Sequence, residues 1–156
     1  NNSKLYSKGI DKVEFYIQTN PGEEMGPLAK IASGGELSRI MLALKTIFPQ
    51  KMGVTSIIFD EVDTGVSGRV AQAIAEKISQ ISNNSQVLCI THLPQVAAIA
   101  DNHYYISKSV NDGRTETSLK ELDEKQKIRE IARMLSGSEI TELTLKYAEE
   151  LIKMSK

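Results

Sequence analysis

Polar residues of the types that handle phosphate follow two apolar segments of the chain. Asp60 and Glu61 come directly after the apolar segment 55–59, and His92 comes after the apolar segment 86–91. A carboxylate at such a position holds Mg²⁺, a neighbouring carboxylate orients or deprotonates water, and an imidazole transfers protons. If the two segments are neighbouring strands, these residues predict a nucleotide phosphate site, with Asp60 as the metal residue and Glu61 as the base.

A glycine pair precedes the strongest helical pattern. Ser33, Gly34, Gly35 and Glu36 stand at its start, where free backbone N–H groups and small residues let an anion approach closely. An ordinary helix start fits the same residues equally well, with Ser33 as the N-cap and Glu36 complementing the helix dipole. Both interpretations stay open on these four residues alone.

The carboxylates and the histidine also have ordinary alternatives. A strand end often carries solvated acids, and a single imidazole after a strand is commonly structural. A helix with one apolar stripe, which Ser67 can cap, lies between the two segments. Strand, helix and strand form a βαβ unit, whose strands are parallel and end at one sheet edge. The predicted convergence of Asp60, Glu61 and His92 therefore favours a site.

The remaining elements follow from periodicity. Alternation over 13–17 predicts a strand, followed by turn residues from Asn20. The helix beginning at Glu36 keeps its apolar spacing until Pro49. Segment 55–59 is apolar on both faces, which predicts a central parallel strand covered by helices. Beyond His92 we expect a short helix, then a hairpin around Asn111-Asp112-Gly113, then a helical pair separated at Ser136-Gly137.

Composition indicates one globular domain over residues 1–156. Of these residues 40% are hydrophobic and 25% are charged, as in ordinary globular domains. The net charge of −1 gives no reason to infer a nucleic-acid surface. The apolar runs are far shorter than the roughly 20 residues of a membrane helix, so no membrane partner is expected. The single Cys89 favours a buried, reduced thiol and a cytoplasmic location.

In this order the motifs resemble those of the C-terminal lobe of an ABC-type ATPase head. Residues 33–36 are similar to the signature motif, 57–60 to the Walker B strand, and Glu61, Asp63 and His92 to the catalytic glutamate, D-loop aspartate and switch histidine. The segments 28–39, 59–65 and 90–98 resemble the SMC-like branch that repairs DNA double-strand breaks, and the similarity runs from about Gly9 into the last helices. Glu36 and Val62-Asp63 differ from the transporter pattern.

The resemblance implies an α/β fold: a mostly parallel sheet flanked by helices, with a β-hairpin and a C-terminal helical pair. It implies that ATP and Mg²⁺ are used, with Asp60 holding the metal through water. Ser33, Gly34, Gly35 and Glu36 would contact ATP bound to a second head of a homodimer. Asp63 would contact that opposing head, while Asp60, Glu61 and His92 would serve the nucleotide of their own head. DNA is expected as a partner of the intact protein by resemblance alone.

One motif of such a head is missing, since no G-x-x-x-x-G-K-[ST] occurs in the 156 residues. The resemblance places this Walker A motif in an N-terminal lobe, which becomes an expected partner, and the chain alone is expected to be nearly inactive. The alternative function is a non-catalytic module that docks protein partners through the hairpin or the helical pair.

Overall fold

The computed structural model describes residues 9, 11, 13–18, 21–47, 55–111, 113–137 and 139–155. The predicted turn residue Asn20, the helix stop at Pro49 and Asp112 of the hairpin turn lie outside this set. The elements in chain order are β1 (Tyr16–Ile17), β2 (Gly26–Pro27), α1 (Leu28–Ile31), α2 (Gly34–Ile47), β3 (Ser56–Phe59), α3 (Gly68–Ser82), β4 (Gln86–Cys89), α4 (Pro94–Ile99), β5 (Tyr104–Asn111), β6 (Arg114–Glu121), α5 (Glu124–Ser136) and α6 (Glu142–Met154).

The strands form three two-stranded sheets in the described part of the chain, and one of them is parallel. β3 pairs with β4 in parallel, whereas β1–β2 and β5–β6 are antiparallel. The α/β class predicted from the sequence is confirmed, and so is the βαβ unit, because α3 connects two parallel neighbours. The predicted mostly parallel sheet is represented by this one pair.

The first hydrophobic core lies on one face of the β3–β4 pair. Leu42 of α2 and Ile74 of α3 are buried in one cluster with Phe59, and Val87 and Cys89 pack against it. These sheet residues alternate with others that point to the opposite face.

Helices leave that opposite face uncovered. Its residues Ile58, Leu88 and Ile90 are 70%, 47% and 53% exposed, and we call this surface the bare face. In the described part of the chain, the helices that were predicted to cover β3 pack on one of its faces, the face of the first core. Periodicity shows that a strand is apolar on both faces, but not which segment covers each face.

The second core joins the C-terminal helical pair to α4. Ala97 and Ala98 of α4 are buried with Ile131 and Ala132 of α5 and Ala148 of α6. α4 also contributes Val96 to the first core, so this short helix links the βαβ unit to the helical pair.

The predicted helical pair and hairpin are both confirmed. α5 and α6 each begin with a capping box, formed by Asp123 with Gln126 and by Thr141 with Thr144. In the hairpin, Gly113 has a φ of 75°, a left-handed value that glycine adopts at low cost. Among the described residues, no helix has both the length and the apolar character needed to cross a membrane.

Candidate functional site

The parallel pairing brings the predicted acids and the histidine to one sheet edge. Phe59 and Cys89 are register partners, and Ile90 N–H donates to Phe59 O at 2.9 Å. The strands therefore end side by side, and the loops that carry Asp60 and His92 leave from the same edge. The convergence expected from the βαβ unit is thus present in the backbone.

Asp63 is the connection between these two loops. It is 2% exposed, and its Oδ2 accepts from Thr91 Oγ1 at 2.5 Å and from His92 N–H at 3.0 Å. His92 Nδ1 lies 3.2 Å from the same oxygen. Thr91 Oγ1 in turn accepts from Leu93 N–H at 3.0 Å. The loop after β3 is therefore fastened to the loop after β4 by a buried carboxylate.

The resemblance implies a contact between Asp63 and an opposing head, and that contact stays a prediction. In the structure the carboxylate is engaged within its own chain. Sequence reasoning did not assign a role to Thr91. Its position directly before His92 was the available signal, since a hydroxyl there can bond a nearby carboxylate.

Asp60 and Glu61 are exposed, in contrast to the buried Val62 and Asp63 that follow them. Glu61 has a φ of 57° and is the one described non-glycine residue with a positive φ. Such a conformation costs a non-glycine residue about 1–2 kcal/mol. It occurs at the residue predicted to activate water, and strained backbone is often found at functional sites.

Ser33 and Glu36 cap the start of α2. Glu36 Oε2 accepts from Ser33 N–H at 2.8 Å and from Ser33 Oγ at 3.1 Å, while Glu36 N–H donates to Ser33 Oγ at 3.4 Å. The hydrogen bond from the Ser33 backbone, followed by that from its hydroxyl, holds the pKa of Glu36 below its usual value. The helix-start interpretation is therefore realised, and phosphate binding by these residues stays a prediction.

Gly34 and Gly35 allow α2 to approach the loop 60–64 closely. A Cβ at Gly35 would lie 3.2 Å from Glu61 O, Thr64 Cβ and Arg39 Nη1, and one at Gly34 would lie 2.9 Å from Glu61 Oε2. Side chains at these positions would crowd the loop, most severely at the buried Gly35. The glycines and Glu61 are thus brought together within one chain.

Two polar side chains of α2 complete this attachment. Ser38 Oγ donates to Asp60 O and Arg39 Nη1 donates to Thr64 O, each at 2.9 Å. The sequence analysis gave neither residue a role in holding this loop. Their spacing from Gly35, at three and four positions, was the signal that they share its helix face.

The pKa of the Cys89 thiol reflects its burial and the charges near this edge. Burial, followed by the nearby charges of Asp63 and Asp60, raises the pKa of the Cys89 thiol to about 12. A neutral, partly buried thiol agrees with the predicted structural role of this residue.

The donor set limits how a metal could bind. In the described residues, no group of three or more His, Cys, Asp or Glu side chains could hold an ion. Mg²⁺ commonly takes one or two protein carboxylates and completes its octahedron with phosphates and water. The exposed Asp60 fits that mode together with a bound nucleotide.

The chain is highly similar to part of several bacterial proteins named DNA repair protein RecN. It is 66% identical over 147 residues to the protein of Halalkalibacterium halodurans, which is 94% of this chain and 26% of the relative. Identity is 62% over 152 residues with the Bacillus subtilis protein, covering 97% and 26%, and 48% over 144 residues with that of Vibrio cholerae, covering 92% and 26%. The chain therefore spans about a quarter of the length of these relatives.

The similarity of the chain to solved structures is weaker. A solved structure from work on ATP-driven dimerisation and DNA-stimulated activation of SMC ATPases covers 78% of this chain and 80% of its own chain, with 21% identity and a TM-score of 0.48. No protein-family model matches the chain.

Proposed function

Because the chain belongs to the RecN family over nearly its whole length, we propose that residues 1–156 form the C-terminal lobe of an ABC-type, SMC-like ATPase head. The intact protein would hydrolyse ATP in DNA double-strand-break repair. The observation that carries the proposal is the edge of the β3–β4 pair, where the loop bearing Asp60 and Glu61 is bonded both to α2 and to the segment bearing His92.

Each residue at this edge has a proposed role at the nucleotide. Asp60 would hold Mg²⁺ through water, and the ion would supply positive charge that neutralises the phosphates. Glu61 would orient the attacking water and accept its proton as the oxygen bonds to the γ-phosphorus and the bond to ADP breaks. His92 would hydrogen bond to the γ-phosphate region with its imidazole.

The signature residues belong to a different nucleotide in this proposal. Ser33, Gly34, Gly35 and Glu36 would contact ATP bound to the second head of a homodimer, and Asp63 would belong to the loop near the head–head contact. The N–H groups of Ser33 and Glu36 are bonded within the cap, and those of Gly34 and Gly35 at the start of the 14-residue helix α2 support an anion site there. DNA would be a partner of the intact protein.

The bare face supports an N-terminal lobe of the same protein as the partner that completes the site. Ile58, Leu88 and Ile90 expose apolar surface on a parallel pair, although parallel sheets are normally covered on both faces. The relatives are about four times longer than the chain, which leaves ample sequence for such a lobe. That lobe would also carry the Walker A motif.

The test is ATP hydrolysis by the intact protein with Glu61→Gln, and with Glu139→Gln as the control. Glu139 is an exposed acid between α5 and α6. We expect Glu61→Gln to lower kcat by about 100-fold or more, the usual contribution of a positioned base, and Glu139→Gln to leave it unchanged. Equal rates for wild type and Glu61→Gln would remove the catalytic assignment.

Two further samples test the division into lobes. The 156-residue chain alone should show negligible hydrolysis, and adding a purified N-terminal lobe should restore a rate that depends on Glu61. Substantial Glu61-dependent turnover by the chain alone would contradict the proposal.

The alternative function, a non-catalytic docking module, is supported by apolar side chains that the hairpin and α6 expose. Val110 is 71% exposed, Leu143 76% and Met154 84%. The Glu61→Gln variant separates the two functions, because a docking module would keep its repair function without this carboxylate.

A further inference from the structure

We propose that Asp63 is a positioning residue that fixes the tautomer and orientation of the His92 imidazole. The carboxylate would hold the proton of the neutral ring on Nδ1 and leave Nε2 as the ring atom available to a ligand. The catalytic consequence rests on the proposed function, whereas the contact between the His92 ring and Asp63 does not.

The chemistry of the Asp63 carboxylate and the His92 imidazole is the first support for the proposal. An ionised carboxylate only accepts hydrogen bonds, and a neutral imidazole has one N–H and one acceptor nitrogen. His92 Nδ1 lies 3.2 Å from Asp63 Oδ2, which is an ion-pair distance. A carboxylate oxygen at that distance attracts a ring nitrogen that carries a proton and repels a bare lone pair, so the contact favours the proton on Nδ1. A protonated ring keeps the same contact.

The burial of Asp63 is the second observation that supports the proposal. The side chain of Asp63 is 3% exposed and that of His92 is 68% exposed. A buried carboxylate is costly unless donors surround it, and Thr91 Oγ1 and the His92 backbone N–H supply two donors besides the ring. The oxygen is thus held firmly by its backbone and hydroxyl partners, and the exposed ring is oriented against a fixed point.

Neighbouring residues prevent the carboxylate from moving. Val62 is fully buried in the first core directly before Asp63. Thr91 is tied to Leu93 N–H while it donates to Asp63. Rotation of Asp63 away from His92 would therefore break hydrogen bonds to the loop after β4 as well as the contact with the ring.

For ATP hydrolysis, the consequence is that the tautomer, and with it the hydrogen-bonding role of Nε2, is defined. As the neutral form it accepts a hydrogen bond from water, and as the cation it donates to a phosphate oxygen. In a Ser-His-Asp triad, the aspartate holds the histidine in the same way, and its change to Asn yields the wrong tautomer and costs about 10⁴-fold in kcat.

The direct test is ¹⁵N NMR of the imidazole rings in the 156-residue chain. The chain has two histidines, so His92→Gln assigns both ring systems. At about pH 8.5, roughly two units above the ordinary imidazole pKa of about 6.5, we expect the His92 Nδ1 signal to be of the protonated type and the Nε2 signal of the unprotonated type. The reverse assignment in the wild-type chain overturns the proposal.

Three substitutions identify the cause. Asp63→Asn should shift the His92 signals towards the Nε2–H tautomer. Asp60→Asn removes a neighbouring charge without removing the bond and should leave the tautomer unchanged, as should the exposed Asp101→Asn. An equal shift with Asp60→Asn would show a general charge effect and contradict a specific bond.

The catalytic consequence is tested in the intact protein. We expect Asp63→Asn to lower kcat by about 100-fold, the lower end of what a positioned acid–base group contributes, and to have little further effect in a His92→Ala background. Additive losses would mean that Asp63 does not act through His92. If the intact protein shows no Glu61-dependent hydrolysis, the proposed function fails while the NMR result still decides the tautomer.

Discussion

The bare face offers the sharpest test of how the lobes assemble. Ile58 in β3 is 70% exposed and Val110 in β5 is 71% exposed, so the two form a matched pair. Changing either to Thr keeps a β-branched side chain and strand propensity. In the 156-residue chain, both variants should change the free energy of unfolding by no more than about 0.5 kcal/mol, as is usual at exposed positions.

In the intact protein, the two variants should differ in the affinity between the lobes. If an N-terminal lobe covers Ile58, the change to Thr removes the Cδ1 methyl group, worth about 0.8 kcal/mol, and replaces the Cγ1 carbon with a hydroxyl. It also buries a hydroxyl without a designed partner, at about 1–3 kcal/mol. Together these effects amount to about 2–4 kcal/mol, or roughly 30- to 700-fold in the affinity between the lobes. Val110→Thr should leave that affinity unchanged.

Two measurements check this expectation. Urea unfolding of each purified chain gives the stability without the partner, and calorimetric titration with the purified N-terminal lobe gives the affinity. Equal affinities for wild type and Ile58→Thr would refute the assignment of the bare face to the lobe interface. A loss with Val110→Thr of similar size would show that the effect is not specific to this face.

Two other predictions concern the loop after β3 and the thiol near it. Glu61→Gly should be more stable than Glu61→Ala by about 0.5–1 kcal/mol, or roughly 2–3 °C in Tm. Glycine relieves the strain of the φ of 57°, and the greater entropy of its unfolded chain offsets part of that gain. Equal melting temperatures of the two variants would argue against strain at this position. Burial raises the pKa of Cys89 from 9.0 to about 12. The folded state therefore favours the neutral thiol, a stability that is present below pH 9 and lost as the pH rises towards 12. Urea unfolding at pH 8 and 10.5 should show wild type losing stability relative to Cys89→Ala, and an unchanged difference would count against this cause.

Local patterns were sufficient for the elements that depend on local chemistry. Apolar periodicity predicted α2, α3 and the helical pair, and the turn residues ending at Gly113 predicted the hairpin. The strand predicted over 13–17 is shorter in the structure, where β1 is Tyr16–Ile17. The Phe15 carbonyl accepts from Leu28 N–H at 2.8 Å, but the side chains of Val13 and Phe15 are 76% and 72% exposed, so no described segment buries them.

The geometry at the sheet edge depended on contacts distant in sequence. By residue pattern alone, Asp63 is one more acid in the loop after β3. In the structure it is buried and bonds to Thr91, 28 positions away, and the local sequence does not indicate either fact. Likewise, the glycine pair fits a helix start, but the reason for Gly35 is the approach of Glu61 and Thr64. Residue type predicted which chemistry is possible here, whereas packing determined which groups meet.

The loop 60–64 is held by two segments that the sequence separates widely. α2 holds it through Ser38 and Arg39, which bond to backbone carbonyls 22 and 25 positions away, and the segment after β4 holds it through Asp63. These bonds involve backbone atoms or a buried carboxylate, so we expect a displacement of α2 to shift the loop, and a shift of the loop to displace the ring of His92. Under the proposed function, a nucleotide contacting the start of α2 would thereby influence the histidine that serves the other nucleotide. The buried position of Asp63 is essential for this coupling, because a solvated carboxylate could follow the ring without moving the loop.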